Sequence, residues 1–232
     1  MRKYYRSAAA LAAAGALVAG LTACAPSNDT SAADTGSQPS AEETTEEMPE
    51  PVASIPELDG VDTQVTLDAG FVEALTSLGL TPNVLGSATL TDGVLAFPIT
   101  GGNVDYYDPE EDYRPYVQGR IDHEGSGISL TSADGATVVE LTDFVIDPGT
   151  SELTGTVTAN GEVVGEDVFI FNLDGTTLNP LTTDANGDAV LEGTTVLISE
   201  DAAPLLNETF GTDAVTDELV VGIAKITASA AE

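Results

Sequence analysis

From residue 88 to residue 226, short runs of alternating apolar and polar residues are separated by sequences that turn a chain. Ala88-Thr89-Leu90 and Val94-Leu95-Ala96-Phe97 flank Thr91-Asp92-Gly93. A long run, Thr137 to Ile146, ends at Asp147-Pro148-Gly149-Thr150. Leu153 to Thr158 follows, then Asn160-Gly161, then Val163-Val164 and Val168 to Phe171. Asn186-Gly187 precedes Ala189-Val190-Leu191, and Leu219 to Ile226 closes the series. Period-two alternation places apolar side chains on one face of a pleated strand. Asp-Gly and Asn-Gly supply the positive φ of a tight hairpin, and Pro presets a turn that Gly then relieves. Short strands at regular spacing predict a mainly β fold, an antiparallel sandwich or barrel.

Two short helices interrupt the strands. Asp68 caps a predicted helix with Phe71, Leu75 and Leu78 on one face, ended by Gly79. Ser199 caps a second through Leu205 and Leu206, ended by Gly211. Pro204 is expected to restrict regular helix there to one side of it.

The first residues read as an address rather than as fold. Arg2, Lys3 and Arg6 precede an uncharged, Ala- and Leu-rich run from Ser7 to Ala23, the layout of a secretory signal. The uncharged stretch Ser7 to Asn28 is long enough to span a bilayer, but Ala and Gly dominate it rather than Leu, Ile and Phe. Leu21-Thr22-Ala23-Cys24 resembles the lipobox of bacterial lipoproteins. That resemblance implies cleavage before Cys24, diacylation of its thiol and attachment to the outer face of the cell membrane. Each buried methylene then contributes about 0.8 kcal/mol to anchoring. Residues 1–23 are thus expected to be signal peptide, and residues 24–56 an acylated cysteine and acidic tether. The tether is rich in Ser, Thr, Pro, Ala and Glu and lacks aromatic residues, so it is expected to stay disordered. Residues 57–232 are expected to form a single domain.

Charge and composition exclude several classes. The chain of 232 residues carries 39 acidic residues against six basic ones, and three of those six lie in the signal. Such a surface repels phosphate backbones, which excludes nucleic acid as a partner. One Cys and one His exclude a disulfide framework, a Cys-rich metal site and a two-His metal site within one chain.

Asp105 to His123 concentrates unusual chemistry. It holds Tyr106, Tyr107, Tyr113 and Tyr116, the four tyrosines outside the signal, with Arg114, Arg120, six acids and the single histidine. Tyrosine joins a large apolar face to a polar tip, which suits a binding surface. Tyr106, Tyr107, Tyr113, Tyr116 and His123 are therefore the candidate ligand-binding residues. The alternative is a solvated strand connection whose tyrosines cover the edge of the core. The acids of this segment, and Asp184-Ala185-Asn186-Gly187-Asp188, raise the possibility of Ca²⁺. The glycine of the second segment falls at the wrong position for a calcium loop, and a hairpin turn explains it better. A Ser–His–Asp site would depend on His123, and Gly125-Ser126-Gly127 is not a nucleophile elbow. No catalytic residue and no metal site is expected.

Phe97 to Gly102, Val117 to Gly125 and Val139 to Asp147 together resemble a family of uncharacterised secreted bacterial β-domains seen in actinobacteria. The likeness covers nearly all of 61–228 and implies no assigned activity. The same core more faintly resembles the Htaa-type haem-binding domain of actinobacterial surface proteins. That resemblance implies a tyrosine ligating haem iron and a histidine assisting it. His123 is the position that matches the histidine. The family's tyrosine lies in an early helical segment, and Phe71 to Leu78 holds none. Tyr106 or Tyr107 would then have to reach the pocket.

The expectation is a lipid-anchored, extracytoplasmic, non-catalytic binding module for a small molecule, glycan or protein at the envelope, without a required cofactor. The alternatives are a haem- or metal-binding surface protein of the Htaa type and a carboxylate-based hydrolase. Replacing Cys24 with Ser should abolish incorporation of a fatty-acid probe in growing cells; unchanged labelling would reject the anchor.

Overall fold

The computed structural model describes residues 49–230. The signal, Cys24 and most of the tether lie outside these residues. Among the described residues no helix is long and apolar enough to cross a membrane.

The predicted β architecture is present as one antiparallel sheet of thirteen strands, curled into a half-barrel. Its main path runs β1 (Ala53–Ile55), β6 (Gly101–Tyr106), β7 (Val117–Ser132), β8 (Val138–Asp147), β9 (Glu152–Ala159) and β10 (Glu162–Asp174). It continues through β12 (Ala189–Ile198), β13 (Val220–Ala230), β2 (Leu58–Leu67), β5 (Val94–Pro98) and β4 (Thr89–Thr91). β3 (Leu80–Gly86) joins the far half of β7, and β11 (Thr182–Thr183) joins β12. β1 lies within the stretch assigned to the tether, so the folded unit begins before residue 57.

Several turns form as their residues dictate. Asp92 and Gly93 both take positive φ between β4 and β5, as do Asn160 and Gly161 between β9 and β10. Two positive values in succession are the signature of a type I′ hairpin, whose twist matches that of its strands. At the β8–β9 turn the Asp147 carboxylate accepts from the backbone N–H groups of Gly149 and Thr150. Asp184 does the same for Asn186 and Asp188, which accounts for that acidic turn as a hairpin and holds its carboxyl below the usual range.

The curl depends on a bend in β7. Between His123 and Gly127 the strand advances four residues while β8 advances two, from Phe144 to Thr142. This bulge turns the strand so that its first half pairs with β6 and its second with β3. Gly125 sits in the bulge at φ +69, a conformation glycine adopts without strain, and its N–H donates to Asp143 Oδ1 at 2.9 Å.

Helix α1 (Ala69–Ser77) starts at Asp68, whose carboxylate accepts from Gly70 N at 2.7 Å, and Gly79 follows its end at positive φ. Helix α2 (Ala202–Phe210) ends at Gly211 in the left-handed region. Pro204 does not split this helix. It lies in the first turn, where no intrahelical partner awaits its missing N–H. Phe71 and Leu75 of α1 and Leu206 of α2 are buried, and the two helices share one apolar layer with Leu130, Val139 and Ile170 of the sheet.

The N-cap of α2 is Asp201, not Ser199 as expected, and its side chain makes no capping bond; Ser199 instead caps the turn leading into the helix, accepting from Ala202 N at 2.9 Å while its hydroxyl donates to the Phe169 carbonyl at 2.5 Å. It is 1% exposed, so water cannot replace either bond. Ser199→Ala should destabilise the fold by about 1–2 kcal/mol, read as a lower urea midpoint with an unchanged slope. An unchanged midpoint would show that the cap contributes nothing.

Candidate functional site

The concave side of the curled sheet encloses a cavity of about 490 Å³. Its wall is overwhelmingly apolar. Phe97, Phe144 and Phe171 line it as a connected aromatic group, with Phe97 and Phe144 edge to face at 5.3 Å between centroids. Phe71, Ile128 and Phe171 also belong to the apolar layer beneath the helices, so they form a partition between that layer and the cavity. Among the described residues no Asp or Glu lines the cavity.

Three segments bring solvent-facing residues to the lining and so mark its mouth. They are Arg114-Pro115-Tyr116 in the β6–β7 connection, Pro148 and Ser151 in the β8–β9 turn, and Gly175 with Leu178 after β10. A Cβ placed on Gly149 would lie 3.7 Å from Pro115, so the first two segments sit against each other.

His123 is the most deeply placed polar group of the wall. It lies on β7 at the start of the bulge and is 1% exposed. Its Nε2 is 2.8 Å from the Thr63 hydroxyl of β2, a strand distant from β7 along the sheet path. The proton in this bond sits on either partner according to the ring tautomer. Nδ1 is buried near the Phe144 backbone, yet it makes no hydrogen bond of acceptable geometry. Burial pushes the imidazole from 6.5 down to about 4; the Phe144 backbone and the charges of Asp122 and Asp62 oppose this without overcoming it. The ring is therefore neutral near pH 7, and neutral imidazole is the form that ligates a metal or exchanges hydrogen bonds in both directions.

The four candidate tyrosines do not form an open face, which corrects the expectation of an exposed binding surface. Tyr106 and Tyr107 are buried, and Tyr113 and Tyr116 are partly buried. The connection folds back because Tyr107 N donates to the Tyr116 carbonyl at 2.7 Å, bringing its two ends together. The rings then pair: Tyr106 with Tyr116 at 5.9 Å and Tyr107 with Tyr113 at 4.7 Å. The first pair lines the cavity and the second does not. Burial raises the pKa of Tyr107 and of Tyr116, with Tyr113 and Asp105 adding to the effect on Tyr107 and Tyr106 to that on Tyr116. Both phenols are thus protonated at neutral pH.

The other chemical readings separate cleanly. Ser126 donates to the His123 carbonyl at 3.0 Å rather than to the ring, so the two do not form a nucleophile–base pair. Among the described residues no group of three or more His, Cys, Asp or Glu side chains is arranged to hold a metal ion. Thr63 and Arg114 join the site without having been singled out in the sequence. Thr63 is one of many threonines on strands and has no local signature.

The lowered pKa of His123 has a definite sign in stability. The unfolded chain takes up a proton below pH 6.5 and the folded chain resists it until about pH 4. This contribution is therefore intact above pH 6.5 and lost as pH falls towards 4, by about 3 kcal/mol in all. Because the acidic residues titrate nearby, the measurable quantity is the stability difference from His123→Gln. That difference should shift against the wild type by roughly this amount between pH 7 and pH 4.5. A difference independent of pH would show that His123 is protonated in the folded state as easily as in the unfolded one.

No family model matches the chain, and no curated protein sequence does. Among solved structures it is similar to the C-terminal domain of HtaA from Corynebacterium glutamicum, with 16% identity and a TM-score of 0.52, over 74% of this chain and 97% of that one. A domain-swapped dimer of a histidine-to-alanine variant of the same domain aligns at 16% identity with a TM-score of 0.43, over 69% and 92%. The described chain thus has the fold of the HtaA C-terminal domain, reproduced over nearly the whole of that domain.

Proposed function

We propose that the chain is a non-catalytic binding module of the cell envelope that takes haem into the cavity of its half-barrel. The observation that carries this reading is the cavity itself: about 490 Å³, walled by apolar side chains, with a buried neutral imidazole in the wall. Ligand sites of this kind combine a broad apolar lining with a few placed polar groups. The shared fold with the HtaA domain and the Htaa-type resemblance at His123 point to the same ligand class.

The residues present fit the group with one departure. His123 is neutral and lines the cavity, and Tyr106 and Tyr116 supply phenols to it. Tyrosine and histidine are both accepted axial ligands of haem iron. Helix α1, however, contributes Phe71 to the cavity and no tyrosine. Tyr107, offered earlier as an alternative, is not in the lining, which leaves Tyr106 or Tyr116 as the phenol that would hold the iron. When bound, haem would supply a large apolar ring and an iron centre that takes a phenol or imidazole donor. The lining residues would surround the ring, keep water away and offer that donor.

The same departure favours a second reading, an apolar ligand without iron, because Phe71 cannot bind a metal. Nothing in the cavity favours a carboxylate-based hydrolase, since among the described residues no carboxylate lines it. Membrane anchorage through Cys24 belongs to this proposal as the device that would hold the module outside the cell.

Titrating hemin into the purified full chain should produce a saturable shift of the Soret band at micromolar protein. His123→Ala or Tyr106→Phe should weaken binding at least fivefold or move the band. Absence of any shift would reject haem.

A further inference from the structure

A chain with 39 acidic residues repels any ligand that bears carboxylates. An apolar ligand with an acidic end therefore needs a local cation, and the structure holds one in a specific place. Among the described residues Arg114 is the only charged one in the cavity lining, and it stands in the solvent-facing part of that lining.

Its surroundings are unexpected for this sequence. Acids crowd the segment on its N-terminal side, at Asp108, Glu110, Glu111 and Asp112. Arg120 nearby pairs with Asp122 at 2.6 Å. Arg114 pairs with no carboxylate among the described residues. Its Nη1 donates to the carbonyls of Glu111 and Tyr113 at 2.5 and 2.6 Å, and Nη2 to that of Pro109 at 2.9 Å. The guanidinium also lies over the ring of Tyr116, 5.5 Å from its centroid, and Tyr116 itself lines the cavity. Neutral carbonyls and an aromatic face hold the head in place and leave its charge uncancelled. Of its five N–H donors three are used. The remaining two, one on Nε and one on Nη2, are left to donate to a carboxylate. The nearby acids are partly engaged elsewhere: Asp105 accepts from Ser54, and Asp108 accepts from the Glu110 N–H.

We propose that Arg114 is a carboxylate anchor at the cavity mouth, so that the ligand enters with its apolar body inward and its acidic end held against the guanidinium. This deepens the reading above and rests on the cavity being the ligand site. It does not require iron. The carboxylate could belong to a porphyrin or to a long acyl chain, and the two sources are separable.

The test measures fluorescence titrations of the full chain with protoporphyrin IX and its dimethyl ester, and in parallel with parinaric acid and its methyl ester. Protoporphyrin IX should bind the wild type about tenfold more tightly than its ester, with the ratio shrinking as salt is added. Arg114→Gln should bring that ratio within twofold, and Arg114→Lys should keep part of it. Equal binding of acid and ester by the wild type would overturn the anchor and leave the haem reading standing; this arm needs no variant to fold. Arg114-dependent preference for parinaric acid, with no porphyrin binding, would uphold the anchor and reject haem. Failure of all four probes to bind would overturn both.

Discussion

The bend in β7 is the constraint from which the rest of the architecture follows. A strand of 16 residues cannot stay straight in a small domain and still have both halves paired with different neighbours. The bulge at 123–127 resolves this by inserting extra residues at one point and raising the local twist. The sheet then wraps instead of lying flat, and the wrapping brings β2 across to β7. There Thr63 meets His123. That bond satisfies one of the few polar groups in an apolar interior, where an unpaired one would be destabilising. The same bend therefore creates the cavity and places the imidazole in its wall.

Much of this was legible locally. Hairpins at Asp92-Gly93 and Asn160-Gly161, the cap at Asp68 and the terminators Gly79 and Gly211 depend on residues within a few positions of one another. The long β7 was not. Gly119, Gly125 and Gly127 interrupt its alternation, and residues 126–130 are buried in succession. A strand covered on both faces has no period-two signature to read. β1 was missed because three residues in a Pro- and Ser-rich stretch carry no pattern; its pairing with β6 creates it. The effect of Pro204 depends on where the helix begins, and with the N-cap at Asp201 it falls in the first turn.

The site followed the same division. His123 stood out by being alone, and the tyrosines by being clustered, so composition alone found them. Their orientation was beyond it. Whether Tyr106 faces the cavity and Tyr107 faces away depends on the backbone closure at Tyr107 and Tyr116 and on the sheet register. Arg114 was visible in the sequence only as one of two basic residues among the acids of its segment, because its placement depends on the backbone carbonyls that hold it. The depressed pKa of His123 likewise comes from tertiary burial and not from its neighbours in sequence.

The edge strand β1 has a mechanical consequence. Three residue pairs, Ala53 with Tyr106, Ser54 with Asp105 and Ile55 with Val104, hold it to β6. Ala53 and Ile55 are also part of the cavity wall. Any tension arriving along the preceding chain meets this short ladder before it meets the long strands behind it. Force applied at the N-terminal side is thus borne by one of the shortest ladders of the sheet, and peeling it away would breach the chamber while the helices and remaining strands stayed intact.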